Sequence, residues 1–201
     1  NMTTSKSFTT NTYEASVNYT KEIQDIVDEE YNKVKNQLEE TYCISSATVK
    51  NRSDYYTWAA NVMLTATDAI CGIGNTGGIR STGELKMGKK IGLENVYLIN
   101  PFDNEIMIIE VSGKELYRFL RYSSIYYSLK DGYSLGMLQN DVKKYKVAVI
   151  DYVYYWDTCP HGANDYNTGL IFRECMIEDL RLRETFNPLT DTTPMIGKLT
   201  K

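Results

Sequence analysis

Two short stretches, Asn75-Thr-Gly-Gly-Ile-Arg80 and Asn100-Pro-Phe-Asp-Asn104, bring together a glycine turn, a guanidinium, an aromatic ring and side-chain amides. Those groups suit a ligand made of a flat ring and an anion. Clustered glycines supply positive φ and let the backbone approach a ligand closely. A turn rich in backbone N–H groups attracts oxyanions. Asn75, Gly77 and Gly78 frame such a turn, and Arg80 adds a planar fork that matches phosphate or ribose oxygens. Phe102 follows a proline in a loop, where a ring is free to stack on a base. Asn104 can both donate to and accept from a base edge. Each also has a plainer use: Arg80 as a surface cation, Phe102 as a plug for the core, Asn104 as a turn-former.

What surrounds these residues narrows the chemistry. The chain has one histidine, His161, and its four cysteines (Cys43, Cys71, Cys159 and Cys175) fit no metal-knuckle spacing. Two disulfides or none are both compatible with that spacing. Gly72-Ile-Gly74-Asn-Thr-Gly77 matches GxGxxG, but a dinucleotide site needs a strand before the motif and a helix after it. Here the preceding segment reads as helix, and the following one carries Gly83 and Gly88 with little helical periodicity. An esterase built on Ser, His161 and Asp lacks a nucleophile elbow. The chain looks able to hold a nucleotide and poorly equipped to cleave one.

The elements that must position these groups follow from periodicity. The chain of 201 residues is 42% hydrophobic and 24% charged, which suits one domain with an appended segment. A net charge of −4 argues against a general binder of nucleic-acid polymers. No apolar run reaches the ~18 residues of a membrane span. Residues 1–18 are rich in Thr, Ser and Asn and read as a flexible leader. Ile23, Val27, Tyr31, Val34 and Leu38 recur at helical steps, predicting a helix over 19–42 with one narrow apolar stripe. A second helix is expected from Tyr55 to Ile70, and a short helical or extended piece from Leu93 to Ile99. Strands are expected over Glu105–Val111 and Tyr145–Val153, with helices over Lys114–Tyr122 and Leu170–Leu182 and a terminal extension from Pro188. The segment between Val153 and Leu170 reads as an irregular loop. Strands and helices mix without a βαβ repeat, which predicts an α+β domain.

The order and spacing of Asn75-Thr-Gly-Gly-Ile-Arg80, Gly92-Leu-Glu-Asn-Val96, Asn100-Pro-Phe-Asp-Asn104 and Val111-Ser-Gly-Lys-Glu-Leu116 resemble the C-terminal domain of the 5′-nucleotidases. That family reads N-x-G-G-I-R, a short helix, a P-F-x-N loop, a strand and G-x-x-L. The resemblance implies a mixed sheet packed with helices over 43–201, preceded by an interdomain connector helix over 19–42. It implies a nucleoside or nucleotide ligand whose base stacks between two aromatic rings. Phe102 matches one ring, Asn104 the base edge, and Asn75 and Arg80 the ribose or phosphate surroundings. Tyr152 matches the second ring. The family's G-G-D-G motif is replaced by a longer loop in which Asp165 is the candidate acid. The stretch from Leu120 to Tyr145 looks trimmed, and Arg52 only loosely matches an upstream cationic position. In the family, a divalent metal pair sits on a separate N-terminal metallophosphatase domain. A hydrolase of nucleotide catabolism, acting outside the cell, at its surface or in the periplasm, is the implied setting. With no metal-ligand set expected here, the chain alone is expected to be inactive. The alternative is a non-catalytic surface binding module that has lost nucleotide recognition.

Overall fold

A computed structural model describes residues 21–80 and 85–199; the expected leader at 1–18 and the loop glycine Gly83 lie outside them. In chain order the elements are α1 (Lys21–Glu39), β1 (Thr41–Ser45), a 3-10 turn (Arg52–Tyr55), α2 (Tyr56–Thr67), β2 (Cys71–Asn75), β3 (Lys90–Gly92), α3 (Leu93–Ile99) and β4 (Glu105–Ser112). Then follow α4 (Gly113–Phe119), β5 (Ile125–Leu129), α5 (Leu135–Leu138), β6 (Lys144–Ile150), α6 (Asp151–Tyr154), β7 (Tyr166–Ile171), α7 (Phe172–Arg181) and β8 (Thr185–Phe186). The class is α+β. The chain divides into two units, Asn1–Asn36 and Gln37–Lys201.

Helix α1 has no buried residue, and Lys33 pairs with Glu29 at 3.1 Å one turn away, the weak contact that i,i+4 spacing provides. The helix stops at Glu39, short of the expected Tyr42, because Tyr42 belongs to β1, which pairs antiparallel with β3 and parallel with β8.

The main sheet runs β5-β2-β6-β4-β7. Strands β2 and β6 are parallel, while β5, β4 and β7 pair antiparallel with their neighbours. Helix α2 is apolar nearly all round, with Trp58, Ala59, Ala60, Val62, Met63 and Ala66 buried, as befits a helix enclosed between layers. It comes so close to β2 that a Cβ on Gly72 would stand 2.0 Å from the Ala60 carbonyl oxygen. The first glycine of the GxGxxG string therefore serves helix–sheet packing. Opposite Gly74, Tyr126 lies stacked on Tyr56 with ring centroids 4.7 Å apart.

A buried carboxylate fastens α2 to α7 and to the C-terminal segment. Asp179 is wholly buried and accepts from Trp58 Nε1 at 2.7 Å, from Arg183 Nε at 2.9 Å and from the Met195 amide. Arg183 also donates to the Thr193 carbonyl at 2.7 Å.

Several expected boundaries shift for local reasons. The second helix ends at Thr67 because Asp68 takes a left-handed φ of 56° as its C-cap, and residues 71–75 form β2. Helix α4 begins at Gly113 under a capping box, in which Glu115 Oε2 accepts from the Ser112 amide at 2.8 Å and from its hydroxyl at 2.6 Å. Strand β6 ends at Ile150, where the Asp151 carboxylate accepts the Tyr152 amide and starts α6. Strand β7 replaces part of the expected loop. Its pattern is broken by Gly169 at φ 69° and by a register shift against β4.

Candidate functional site

The parallel strands β2 and β6 end on the same side of the sheet, and β4, running the other way, begins there. The carboxyl ends of parallel strands are a favoured place for ligands, because the loops leaving them diverge. Here they leave a cleft of about 270 Å³ lined by Asn75, Gly77, Gly78 and Arg80 from β2 and its loop, Phe102 and Asn104 ahead of β4, and Tyr152 after β6. Seven of the eight sequence candidates thus meet in one place.

The glycine turn forms the floor. The Gly78 amide donates to the Asn75 carbonyl at 2.8 Å, and the Asn75 side chain folds back over the turn. A Cβ on Gly78 would lie 2.6 Å from Asn75 Oδ1, so a larger residue there would have to push the Asn75 side chain aside. Asn75 Oδ1 is buried and has no hydrogen-bond partner among the described residues. Neither Gly77 nor Gly78 is among the positive-φ glycines; they serve close approach rather than an unusual backbone. The Thr76, Gly78 and Arg80 amides are already bonded to the Ser124, Asn75 and Ile99 carbonyls. The turn therefore offers fewer free N–H groups to an anion than its glycine content suggests.

The walls are a cation and two rings. The exposed Arg80 guanidinium lies 5.2 Å from the centroid of the half-buried Phe102 ring, within cation–π range, and among the described residues it pairs with no carboxylate. The Phe102 loop is anchored from below. The Phe102 amide donates to Asn100 Oδ1 at 3.4 Å, and the Asn104 carbonyl accepts the Phe172 amide at 2.9 Å. Arg173 Nη2 pairs with Asp103, while its guanidinium lies 3.9 Å from the Tyr97 centroid. Arg173 is 3% exposed, and its Nε and Nη1 have no hydrogen-bond partner among the described residues. Across the cleft Tyr152 is 56% exposed, enough to offer a face, and is steadied by a T-shaped contact with Trp156 at 5.8 Å. Asn104 Nδ2 donates to Asp151 Oδ1 at 2.7 Å.

Asp165 does not line this cleft. Its Oδ1 accepts the Glu110 amide at 3.0 Å and its Oδ2 the Gly162 amide at 2.9 Å. Glu110 is five residues along β4 from Glu105, about 17 Å at the rise of a strand, so Asp165 is near the opposite end of the sheet. It clamps the long loop, with His161 Nδ1 at 3.6 Å and Tyr154 edge-on to His161 at 4.6 Å. Arg52 is exposed at the start of the 3-10 turn and does not line the cleft either.

Asp151, Asp103, Arg173 and Trp156 are the supporting residues that sequence reasoning missed. Asp151 carried a signal: an acid directly after the apolar run Val147-Ala-Val-Ile150 marks where a strand ends and a side chain can turn back on the chain.

Among the described residues the lining holds no histidine, carboxylate or thiol. The four cysteines are free and buried. Burial pushes the Cys43 thiol up to about 11 and those of Cys159 and Cys175 up to about 12, with Cys71 pushed up further. Since the thiolate is the reactive form, none is a ready nucleophile near neutral pH. Among the described residues no three His, Cys, Asp or Glu side chains converge on a potential metal position, and no helix is long and apolar enough to cross a membrane. The arrangement suits gripping a ring and an anion.

Residues 33–158 match the family model of the 5′-nucleotidase C-terminal domain. No curated protein matches the chain. Among solved structures, the 5′-nucleotidase precursor of Thermus thermophilus superposes with a TM-score of 0.64 at 15% identity, over 81% of this chain and 40% of its own. The NAD nucleotidase of Haemophilus influenzae gives 0.58 at 14% identity, over 90% of this chain and 42% of its own. A putative 5′-nucleotidase from Staphylococcus aureus, solved with alpha-ketoglutarate, gives 0.55 at 14% identity, over 90% and 44%. At these identities the likeness is one of fold, and the chain spans well under half of each.

Proposed function

Because the chain belongs to the 5′-nucleotidase C-terminal domain family, we propose that its cleft is a nucleoside or nucleotide recognition site serving a 5′-nucleotidase-type phosphohydrolase. The base lies between Phe102 and Tyr152, Asn104 meets its edge, and Asn75 and Arg80 face the ribose and phosphate. The observation that carries this reading is the convergence, in one open cleft, of two accessible rings and a guanidinium that pairs with no carboxylate among the described residues. Its size, near the lower end of small-ligand pockets, suits one base with its sugar.

The cleft lining offers no ligand set for a metal pair, so hydrolysis belongs to a metallophosphatase domain N-terminal to this one in a parent chain. Holding the base here would orient the phosphate there, a use of binding energy remote from the reacting bond. Helix α1 is the connector in this scheme, and a secreted, cell-surface or periplasmic setting follows from the family. The position of Asp165, away from the cleft, favours a second reading: a surface module that no longer recognises nucleotides.

Titrating the purified chain with AMP while following Tyr and Trp fluorescence separates the two. We expect saturable binding that weakens by about 5- to 150-fold in Phe102→Ala, the range of ~1–3 kcal/mol for one lost stacking partner. No response at millimolar AMP would favour the second reading. The chain alone releases no phosphate from AMP with added divalent metal; measurable release would refute the division of labour.

A further inference from the structure

The two walls of the cleft meet at a single atom. Asp151 Oδ1 accepts Asn104 Nδ2 at 2.7 Å and the Tyr152 backbone amide at 2.6 Å. One oxygen thus ties the loop carrying Phe102 and Asn104 to the turn carrying Tyr152. It also decides which end of the Asn104 amide is available. A carboxylate only accepts hydrogen bonds, so the NH2 end of Asn104 must face Asp151 and its carbonyl end is left over. Among the described residues, neither Asn104 Oδ1 nor Asp151 Oδ2 receives a hydrogen bond. Neither is sealed away from solvent.

We propose, resting on the reading of the cleft as a nucleoside site, that Asp151 is a positioning residue that makes the base edge acceptor-only. The ligand must then present a hydrogen-bond donor there, such as an exocyclic amine. An unconstrained Asn would serve a donor or an acceptor equally well by turning its amide over. Asp151 removes that freedom. A ring presenting only acceptors leaves both sides with lone pairs facing each other, and a site built to hydrogen-bond one group discriminates against the analogue lacking it.

The test is isothermal titration of the 201-residue chain with adenosine and with purine riboside, which is the same nucleoside without the 6-amino group. We expect adenosine to bind about 2- to 12-fold more tightly, the equivalent of one net hydrogen bond of ~0.5–1.5 kcal/mol. Asp151→Ala removes the acceptor, leaves the Asn104 amide free to turn over, and brings the preference close to unity. Asn104→Ala removes the amide itself while leaving the Tyr152 anchor in place, and should abolish the preference too. Circular dichroism checks that both variants fold. Were Asp151 only a structural prop, Asp151→Ala would weaken both nucleosides equally and keep their ratio, and that result overturns the proposal. Equal affinities in the unaltered chain overturn it as well, while leaving the cleft a nucleoside site. Binding of neither nucleoside removes both readings together.

Discussion

Replacing Asp179 with alanine strikes the tie between α2, α7 and the C-terminal segment. The carboxylate is wholly buried and meets Trp58, Arg183 and the Met195 amide. Its removal leaves the Arg183 side chain, itself 7% exposed, as a buried charge without its counter-ion, and the Trp58 N–H without an acceptor. Removing one partner of a buried ion pair costs about 3–5 kcal/mol. The surviving bond from Arg183 to the Thr193 carbonyl sets the value toward the lower end. Total stabilities are about 5–15 kcal/mol, so the loss is a large share. For a domain this size each kcal/mol moves the melting midpoint by roughly 2–4 °C, giving an expected drop of about 6–20 °C. Thermal melts followed by far-ultraviolet circular dichroism measure it. Lys130→Ala, which breaks the exposed pair with Asp68 at 2.8 Å, is the control and should leave the midpoint nearly unmoved. A drop below about 3 °C in Asp179→Ala would mean that Arg183 escapes to solvent and that the tie contributes little.

Two further substitutions probe the scaffold. Gly72→Ala forces its Cβ against the Ala60 carbonyl oxygen at 2.0 Å, so α2 and β2 must part; a loss of about 1–3 kcal/mol in urea melts is expected, and an unchanged midpoint would disprove the close-packing role. The Ser112 hydroxyl and amide hold the Glu115 carboxyl below its ordinary 4.5, so its stabilisation is present above pH 4.5 and is lost as pH falls through the depressed folded value. Glu115→Gln should therefore be less stable than the unaltered chain near neutral pH and converge with it in acid, and a gap that persists at pH 2 would contradict the capping role.

How legible all this was varies with how local the cause is. The ring, the guanidinium and the base-edge amide stand within thirty residues on loops of marked type, and the cleft unites them. Tyr152 was reached only through a family pattern, since nothing local separates it from the neighbouring tyrosines. Asp165 was misplaced for the same reason: a motif position was carried across a loop whose length had changed, and in this fold the acid bonds to the backbone of β4. Long apolar runs exposed β4 and β6, whose two faces are both covered. Strands β1, β3, β5, β7 and β8 stayed hidden because each is short or lies at a sheet edge, where pairing with a distant partner overrides weak local preference. The fixed orientation of Asn104 could not be read at all, because it depends on a partner 47 residues away.

The strand order β5-β2-β6-β4-β7 also constrains biosynthesis. Strands β2 and β4 are translated early, yet they are not neighbours; β2 can pair with β5 on one edge, but the facing edges of β2 and β4 must wait for β6, at 144–150, to slot between them. Chain already outside the ribosome therefore holds two apolar strands open until the third arrives, and Asn104 meets Asp151 only then. An emerging polypeptide stalled before Lys144 would expose that gap, a natural point for chaperones to engage and proteases to cut.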